Sequence, residues 1–496
     1  MWHVGTRLQR IRRVLPPAKV RCRSMAIYAV GEGWTGALGE KHKLRTIPGH
    51  YDEDEVMSDF HNSSMGGNLD GENADDGEEM NSPVMIYAYD DVAQGAVGWG
   101  STCFLDTQGQ IHQLGRPQDL MTLFRMNRLP KRIRDWANQN NDPSETTFFG
   151  RMISKLIGFA SGGDEGEVWA TAKDLSLLKE WTKLDYTKTD ETSSKVRQPV
   201  GDTVMTKMTC SAGVTLMLGR SGTLYATGVN NRGQCGIGTM TNNVWAPERV
   251  KGISVSEKKG TDRDEQDQPA VEMALGFQHG YALTRCGQLF SWGKGSRGQL
   301  GREMDADQDS TARRLNLDFN VVQIAAGNHH GALLTEDNEV FIWGKNMGRV
   351  SEDEESSKKS VDAEVPEEVV GLPMNKKVLQ ISCGSHHTSI LMDDGSVYGI
   401  GIASDEAVTL LDPIETIPAG TIELPVKQFE AHFDRTTVID SQGQVLQFHL
   451  WKDETLREHA FFTPAYVDAL LDQDQSIEAI HRGWLHTIIV TKQIQD

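Results

Sequence analysis

The six cysteines of this 496-residue chain stand far apart, at 22, 103, 210, 235, 286 and 383, and no two form a Cys-x-x-Cys pair. That spacing excludes the disulfide framework of a small secreted domain and the usual zinc motifs. Free thiols in a reducing compartment are expected instead, with Cys103, Cys210 and Cys383 acting as small apolar fillers on or beside the strands of a repeat. No run of 18 apolar residues occurs, so no membrane span is expected. Cations are scarce: 50 Lys and Arg stand against 70 Asp and Glu, for a net charge of −20. A body this acidic argues against direct binding of nucleic acid. Nucleophile–base pairs, metal-ligand clusters and phosphate loops are all missing from the sequence pattern. The chain therefore reads as a non-enzyme, with no catalytic residue, cofactor or metal expected.

What the sequence does contain is a pattern that returns about every fifty residues. A Gly is followed by a short apolar run, a turn, and a second run closing on aromatic-x-x-Gly or aromatic-x-Gly. The best copy runs from Gly327 to Gly344 and ends Val-Phe-Ile-Trp-Gly. Gly276 to Gly293, Gly384 to Gly401 and Gly98 to Gly115 repeat it at the same length. Ser211, His432 and Gly483 supply the remaining starting points, Ser211 and His432 by spacing alone. Eleven residues after each of the first six starting points comes Gly109, Gly222, Gly287, Asn338, Gly395 or Gly443. These residue types tolerate the positive φ of a hairpin turn, and the flanking runs are β-prone. A period of this size marks a repeat architecture.

The last unit, opening at Gly483, stops at Asp496 near its own turn, without a second strand. An unpaired strand stands at the other end of the chain, Ile27-Tyr-Ala-Val-Gly31, followed by Glu-Gly-Trp-Thr-Gly-Ala-Leu-Gly39. The same glycine spacing follows Gly293 (Gly-Lys-Gly-Ser-Arg-Gly-Gln-Leu-Gly) and Gly228 (Gly-Val-Asn-Asn-Arg-Gly-Gln-Cys-Gly). A last unit completed by the N-terminal strand closes a ring and removes exposed sheet edges. The Gly-x-x-x-x-Gly-Gln-Leu-Gly run after a Trp-Gly strand resembles the regulator-of-chromosome-condensation repeat, and most closely its mitochondrial branch. The resemblance implies an all-β fold: one seven-bladed β-propeller over residues 25–496, closed by an N-terminal strand and carrying long acidic and basic loop insertions at about 40–82, 116–200 and 351–365.

Residues 1–23 hold seven basic residues and no acid, and Val4, Leu8, Ile11 and Leu15 share one helical face. This composition points to a mitochondrial targeting presequence over residues 1–24, the competing reading being a basic arm on a nuclear protein. Residues 52–80 hold eleven acids and no Lys or Arg, and read as a solvated loop.

His279, His330, His387 and His486 each lie three residues after their starting Gly. One register repeated in four units points to one structural role, hydrogen bonding within or between blades, rather than to one active site. The polar and basic loop residues Asn231, Arg232, Arg297, Lys345 and Asn346 fall at matching places around one rim and are the candidate partner contacts. Through the resemblance, the expected function is a monomeric protein-interaction propeller in mitochondria. Its partner would be a small GTPase, whose nucleotide it would exchange, or a ribosome-assembly factor. The alternative is a nuclear, chromatin-associated exchange factor for a Ran-like GTPase.

Overall fold

The computed structural model describes residues 25–31, 83–88, 92–118, 122–123, 178–184, 202, 204–253, 268–348, 361–402, 409–432, 435–450, 465–471, 475–483 and 486–493. The presequence at 1–24, Gly39, the acidic stretch at 52–80 and most of 116–177 lie outside these residues.

Seven antiparallel sheets form a ring. Blade four shows the plan: an inner strand Val321–Ala326, a second His330–Thr335, a third Val340–Gly348 and an outer strand Val361–Glu368. The repeated Gly is thus the turn between the inner and second strands, so each blade begins one strand earlier than the sequence pattern marks. The next turn carries the positive-φ residue at every position read from the sequence: Gly109, Gly222, Gly287, Asn338, Gly395 and Gly443 have φ of 81°, 89°, 76°, 70°, 78° and 81°. Blades one to five have four strands. Among the described residues blade six has three, Gln428–His432, Arg435–Ile439 and Val445–His449. A short helix, Ala465–Leu471, leads into blade seven and packs on its inner strand.

Blade seven closes the ring. Its inner strand Gln475–Arg482 and second strand His486–Gln493 come from the C-terminal end, and its third strand, Met25–Gly31, comes from the N-terminal end. Seven residue pairs join that third strand to the second, from Met25↔Lys492 to Gly31↔His486. The outer strand, Val84–Ala88, is N-terminal too, so the blade is shared two and two.

Two stretches read from the sequence as insertions carry blade strands. Leu178–Lys183, within 116–200, is the outer strand of blade one, and Val361–Glu368 overlaps 351–365. Outer strands have solvent on one side and alternate weakly; Val-Asp-Ala-Glu-Val-Pro-Glu-Glu buries only Ala363, which is why this strand resembles an acidic loop.

The second strands of blades one to five are buried along their length, and the apolar cores lie between neighbouring blades rather than within them. The inner strands surround a central channel of about 780 Å³. A glutamine on four of them clamps the next blade. Gln94 Nε2 donates to Met208 O (2.9 Å) while its Oε1 accepts from Met208 N (3.1 Å). Gln323 does the same to Leu379 O (2.9 Å) and Ile381 N (3.1 Å), and Gln428 to Ile480 O and N (2.7 and 2.8 Å). Gln380 donates to Phe429 O (3.1 Å). Between blades two and three Lys207 Nζ reaches Val271 O at 3.1 Å.

Candidate partner-binding face

The turn between inner and second strands and the loop after the third strand emerge on the same face, so the repeated motif gathers there. In each starting turn the Gly N–H donates to the carbonyl three residues on: Gly98 to Ser101, Gly276 to His279, Gly327 to His330, Gly384 to His387 and Gly483 to His486, at 2.8–2.9 Å. The His ring then folds back over the Gly. A Cβ at Gly327 would lie 2.0 Å from His330 Cε1 and 2.5 Å from the carbonyl of Gly384 in the next blade. Gly276 has the same surroundings, against His279 and Gly327 O. Gly and His are therefore one packing unit.

All four histidines are buried. His330 Nε2 hydrogen bonds Thr388 Oγ1 of blade five (3.1 Å), His387 Nε2 bonds Thr436 Oγ1 of blade six (3.3 Å), and His486 Nε2 bonds Thr102 Oγ1 of blade one (2.9 Å). Each sits on the residue directly after the next blade's starting His, Arg or Ser. In blade four that residue is Gly331, so His279 meets no hydroxyl, and neither of its ring nitrogens has a hydrogen-bond partner among the described residues. Burial pushes His279, His330 and His486 down to about 3, so all three are neutral at physiological pH.

The third strand carries at or near its end a Gly held at positive φ, at Gly31, Gly115, Gly228, Gly293, Gly344 and Gly401. A Cβ there would strike the neighbouring backbone, 2.4 Å from His329 O at Gly344. The Trp before it anchors the preceding blade's loop: Trp292 Nε1 donates to Gln234 O (2.9 Å) and Trp343 Nε1 to Gln299 O (3.0 Å). Gln234 and Gln299 in turn shape the loops that carry Arg232 and Arg297, their Oε1 atoms accepting from the N–H groups of those residues at 2.7 and 2.8 Å.

These loops bring cations together. Asn231, Arg232 and Arg297 are exposed, and Lys345 and Asn346 are half-buried. Arg297 donates to Asp362 of blade four (3.1 Å), and the same carboxylate accepts from Asn346 N (3.0 Å). Lys294, at the register of Lys345 in blade three, feels the charges of both Arg232 and Arg297. Burial lowers its ammonium first, and the two guanidinium groups lower it further. Lys345 is lowered by burial and then by Arg297. Four cations from blades two, three and four thus share one rim of a protein with net charge −20. Toward the channel the rim meets Trp99, stacked on Phe277 at 4.8 Å, and His329, edge-on to Phe277 at 5.4 Å. His329 is buried with both ring nitrogens unbonded among the described residues, as is the Ser385 hydroxyl. Burial holds His329 well below its ordinary range, and His386 and Lys345 add to the effect.

The family model for the regulator of chromosome condensation (RCC1) repeat matches residues 221–283, 286–334 and 337–391. Within residues 221–391 the chain is thus similar to that repeat. Among related sequences, the human probable E3 ubiquitin-protein ligase HERC3 is 29% identical over 208 residues, 41% of this chain and 18% of that protein. The mouse regulator of chromosome condensation is 31% identical over 154 residues, 30% of this chain and 35% of that protein. The chain therefore matches only part of the length of these relatives. Yeast RCC1 (Prp20), solved bound to Kap60, superposes with a TM-score of 0.57 at 18% identity, over 96% of this chain and 91% of that one. Prp20p of Saccharomyces cerevisiae, characterised for binding to Gsp1p and histones, superposes at 0.55 and 16% identity, over 96% and 93%. At such identities the likeness shows the fold.

On this propeller the five residues singled out from sequence lie on one face, Asn231 and Arg232 from blade two, Arg297 from blade three, Lys345 and Asn346 from blade four. Sequence reading missed Lys294, although it follows Trp-Gly as Lys345 does. It also missed Arg116, which follows the corresponding Gly115 in blade one and is fully buried, its guanidinium lowered to about 10 by desolvation. The residue after the second Gly is the signal that would have found both.

Proposed function

We propose that this chain is a protein-interaction propeller whose rim at blades two to four receives an acidic surface of a protein partner. The crowding of Arg232, Lys294, Arg297 and Lys345 carries this reading. Lys294 and Lys345, lowered by burial and then by the neighbouring guanidinium groups, are stabilised by an incoming carboxylate, and such perturbed groups concentrate at functional sites. The partner class best supported is a small GTPase, with nucleotide exchange as the activity. Exchange needs no chemical catalyst, only a surface that favours the nucleotide-free form. The structural likeness to Prp20p, with its binding to Gsp1p and histones, supports a protein partner. The basic, acid-free stretch at residues 1–23 favours mitochondria as the compartment, with a ribosome-assembly factor as the other partner class there. A nuclear exchange factor is the second reading, favoured by the mouse relative.

The test is the triple variant Arg232→Gln, Lys294→Gln, Lys345→Gln, which keeps the packed stems. It should remain folded by melting and lose the partners that proximity labelling assigns to the wild type, at physiological salt. Retention of every partner removes this face. A fusion of residues 1–30 to a fluorescent reporter should enter mitochondria; nuclear accumulation would favour the second reading. Accelerated release of labelled GDP from a co-purifying GTPase would establish exchange.

A further inference from the structure

Two of the thiols stand together. Cys103 lies on the second strand of blade one, fully buried and opposite Gln113. Cys210 lies on the inner strand of blade two, half-buried and lining the central channel. The hydroxyl of Thr215 bridges them, 3.9 Å from Cys103 Sγ and 3.4 Å from Cys210 Sγ. The contact crosses the blade boundary, between strands from separate sheets.

We propose that Cys103 and Cys210 are a reversible oxidation site, closing to a disulfide that staples blade one to blade two when a hydroperoxide enters the channel. The chemistry divides between the two thiols. Cys210 is held below the ordinary thiol range, first by its hydrogen bond with Cys103, whereas Cys103 is pushed up. Cys210 also lines the channel while Cys103 is fully buried, so Cys210 is the thiol a peroxide reaches and attacks as thiolate. Its sulfur attacks one peroxide oxygen, the O–O bond breaks and water leaves once the hydroxide takes up a proton, giving the sulfenic acid. Cys103 sulfur then attacks the sulfenic sulfur, the S–O bond breaks, and a second water leaves with the Cys103 proton. Two thiols and one hydrogen peroxide thus become one disulfide and two waters.

Blade five supplies an internal control. Cys383 stands in the same relation to Thr388 (3.3 Å) as Cys210 does to Thr215, again on an inner strand and again lining the channel. It has no thiol beside it among the described residues, is itself buried, and burial pushes it to about 12.

The experiment uses the full chain with Cys22→Ser and Cys286→Ser, treated with hydrogen peroxide at a few equivalents. Intact mass should fall by about 2 Da, the cost of two hydrogens, and non-reducing peptide mapping should show Cys103 joined to Cys210, released by dithiothreitol. In the same background Cys103→Ser should abolish the link and leave Cys210 as a sulfenic acid trapped by dimedone, with Cys383 untouched. Cys210→Ser should abolish both. Oxidation of Cys210 to the sulfinic acid without any link to Cys103 in the parent would overturn the proposal, as would equal dimedone labelling of Cys383. A parent whose thiols all survive peroxide would overturn it too.

Discussion

The four repeated histidines separate packing from hydrogen bonding, because one of them lacks what the others have. His330, His387 and His486 each reach a threonine hydroxyl in the next blade, while His279 faces Gly331. Replacing a bonded partner strands a buried polar group, at a cost of about 1–3 kcal/mol, whereas replacing an unbonded ring removes a desolvation penalty. His330→Leu should therefore lower stability by about 1 kcal/mol more than His279→Leu, measured by urea unfolding at pH 7.5. Equal losses would mean that the rings act by shape alone. The same residues fix a pH response. The folded rings titrate at about 3 and the unfolded ones near the ordinary 6.5, so the unfolded state binds more protons between these values. Stability is fully present above about 6.5 and is lost progressively as pH falls towards 3. The urea midpoint should decline from pH 7.5 to pH 5, and the decline should be shallower in His330→Leu than in the wild type.

At the scale of the strand, the ring is held by side chains that bond backbone across blade boundaries. Gln323 makes two such bonds, to Leu379 O and Ile381 N. Gln323→Ala should cost about 1–3 kcal/mol by losing both, read as a lower urea midpoint with an unchanged m-value. Gly344→Ala should cost more, because φ of 106° and a Cβ placed 2.4 Å from His329 O cannot both be relieved; failure to express in soluble form, or a melting temperature lowered by more than that of Gln323→Ala, is the expected result. The difference between these residues also explains what could be read from sequence. Positive φ favours Gly or Asn, so Gly109, Asn338 and Gly344 announce their places and the blade spacing with them. Nothing comparable marks Gln323: within Val-Val-Gln-Ile-Ala-Ala it is one polar residue on a strand with the channel on one side, and its clamp exists only once the next blade is in place. Outer strands such as Val361–Glu368 stayed hidden because solvent leaves them charged. On the candidate face, Arg232, Arg297 and Lys345 were legible as basic loop residues on an acidic chain. The closeness of Lys294 to both arginines was not, since it depends on the blades being set side by side.

The whole molecule depends on a strand that crosses from one chain end to the other. Met25–Gly31 sits between His486–Gln493 and Val84–Ala88, with Ile27 and Ala29 fully buried and Tyr28 and Val30 nearly so. Loss of one large buried side chain costs about 2–5 kcal/mol, and a domain's whole stability is about 5–15 kcal/mol. Removing residues 1–31 therefore takes away more than the ring can spare and exposes two unpaired edges in blade seven. That variant should aggregate or bind a hydrophobic dye, whereas removal of residues 1–24 should leave the melting temperature unchanged. Similar melting of the two would show that the ring is held without the strand. A circular permutant separates loss of the strand from loss of its connection. Met25 pairs with Lys492, one residue before the end of the second strand at Gln493. The junction is geometrically the hairpin that Thr335 to Val340 forms in blade four. A four-residue, glycine-containing linker from Gln493 to Met25, with new termini opened between residues 351 and 360, converts the shared blade into one continuous in sequence. Because every strand pairing is kept, this permutant should melt within a few degrees of the wild type, and deleting its residues 25–31 should still abolish folding. A permutant that fails while the parent folds would mean that the order of the strands along the chain, and not only their pairing, is needed to close the ring.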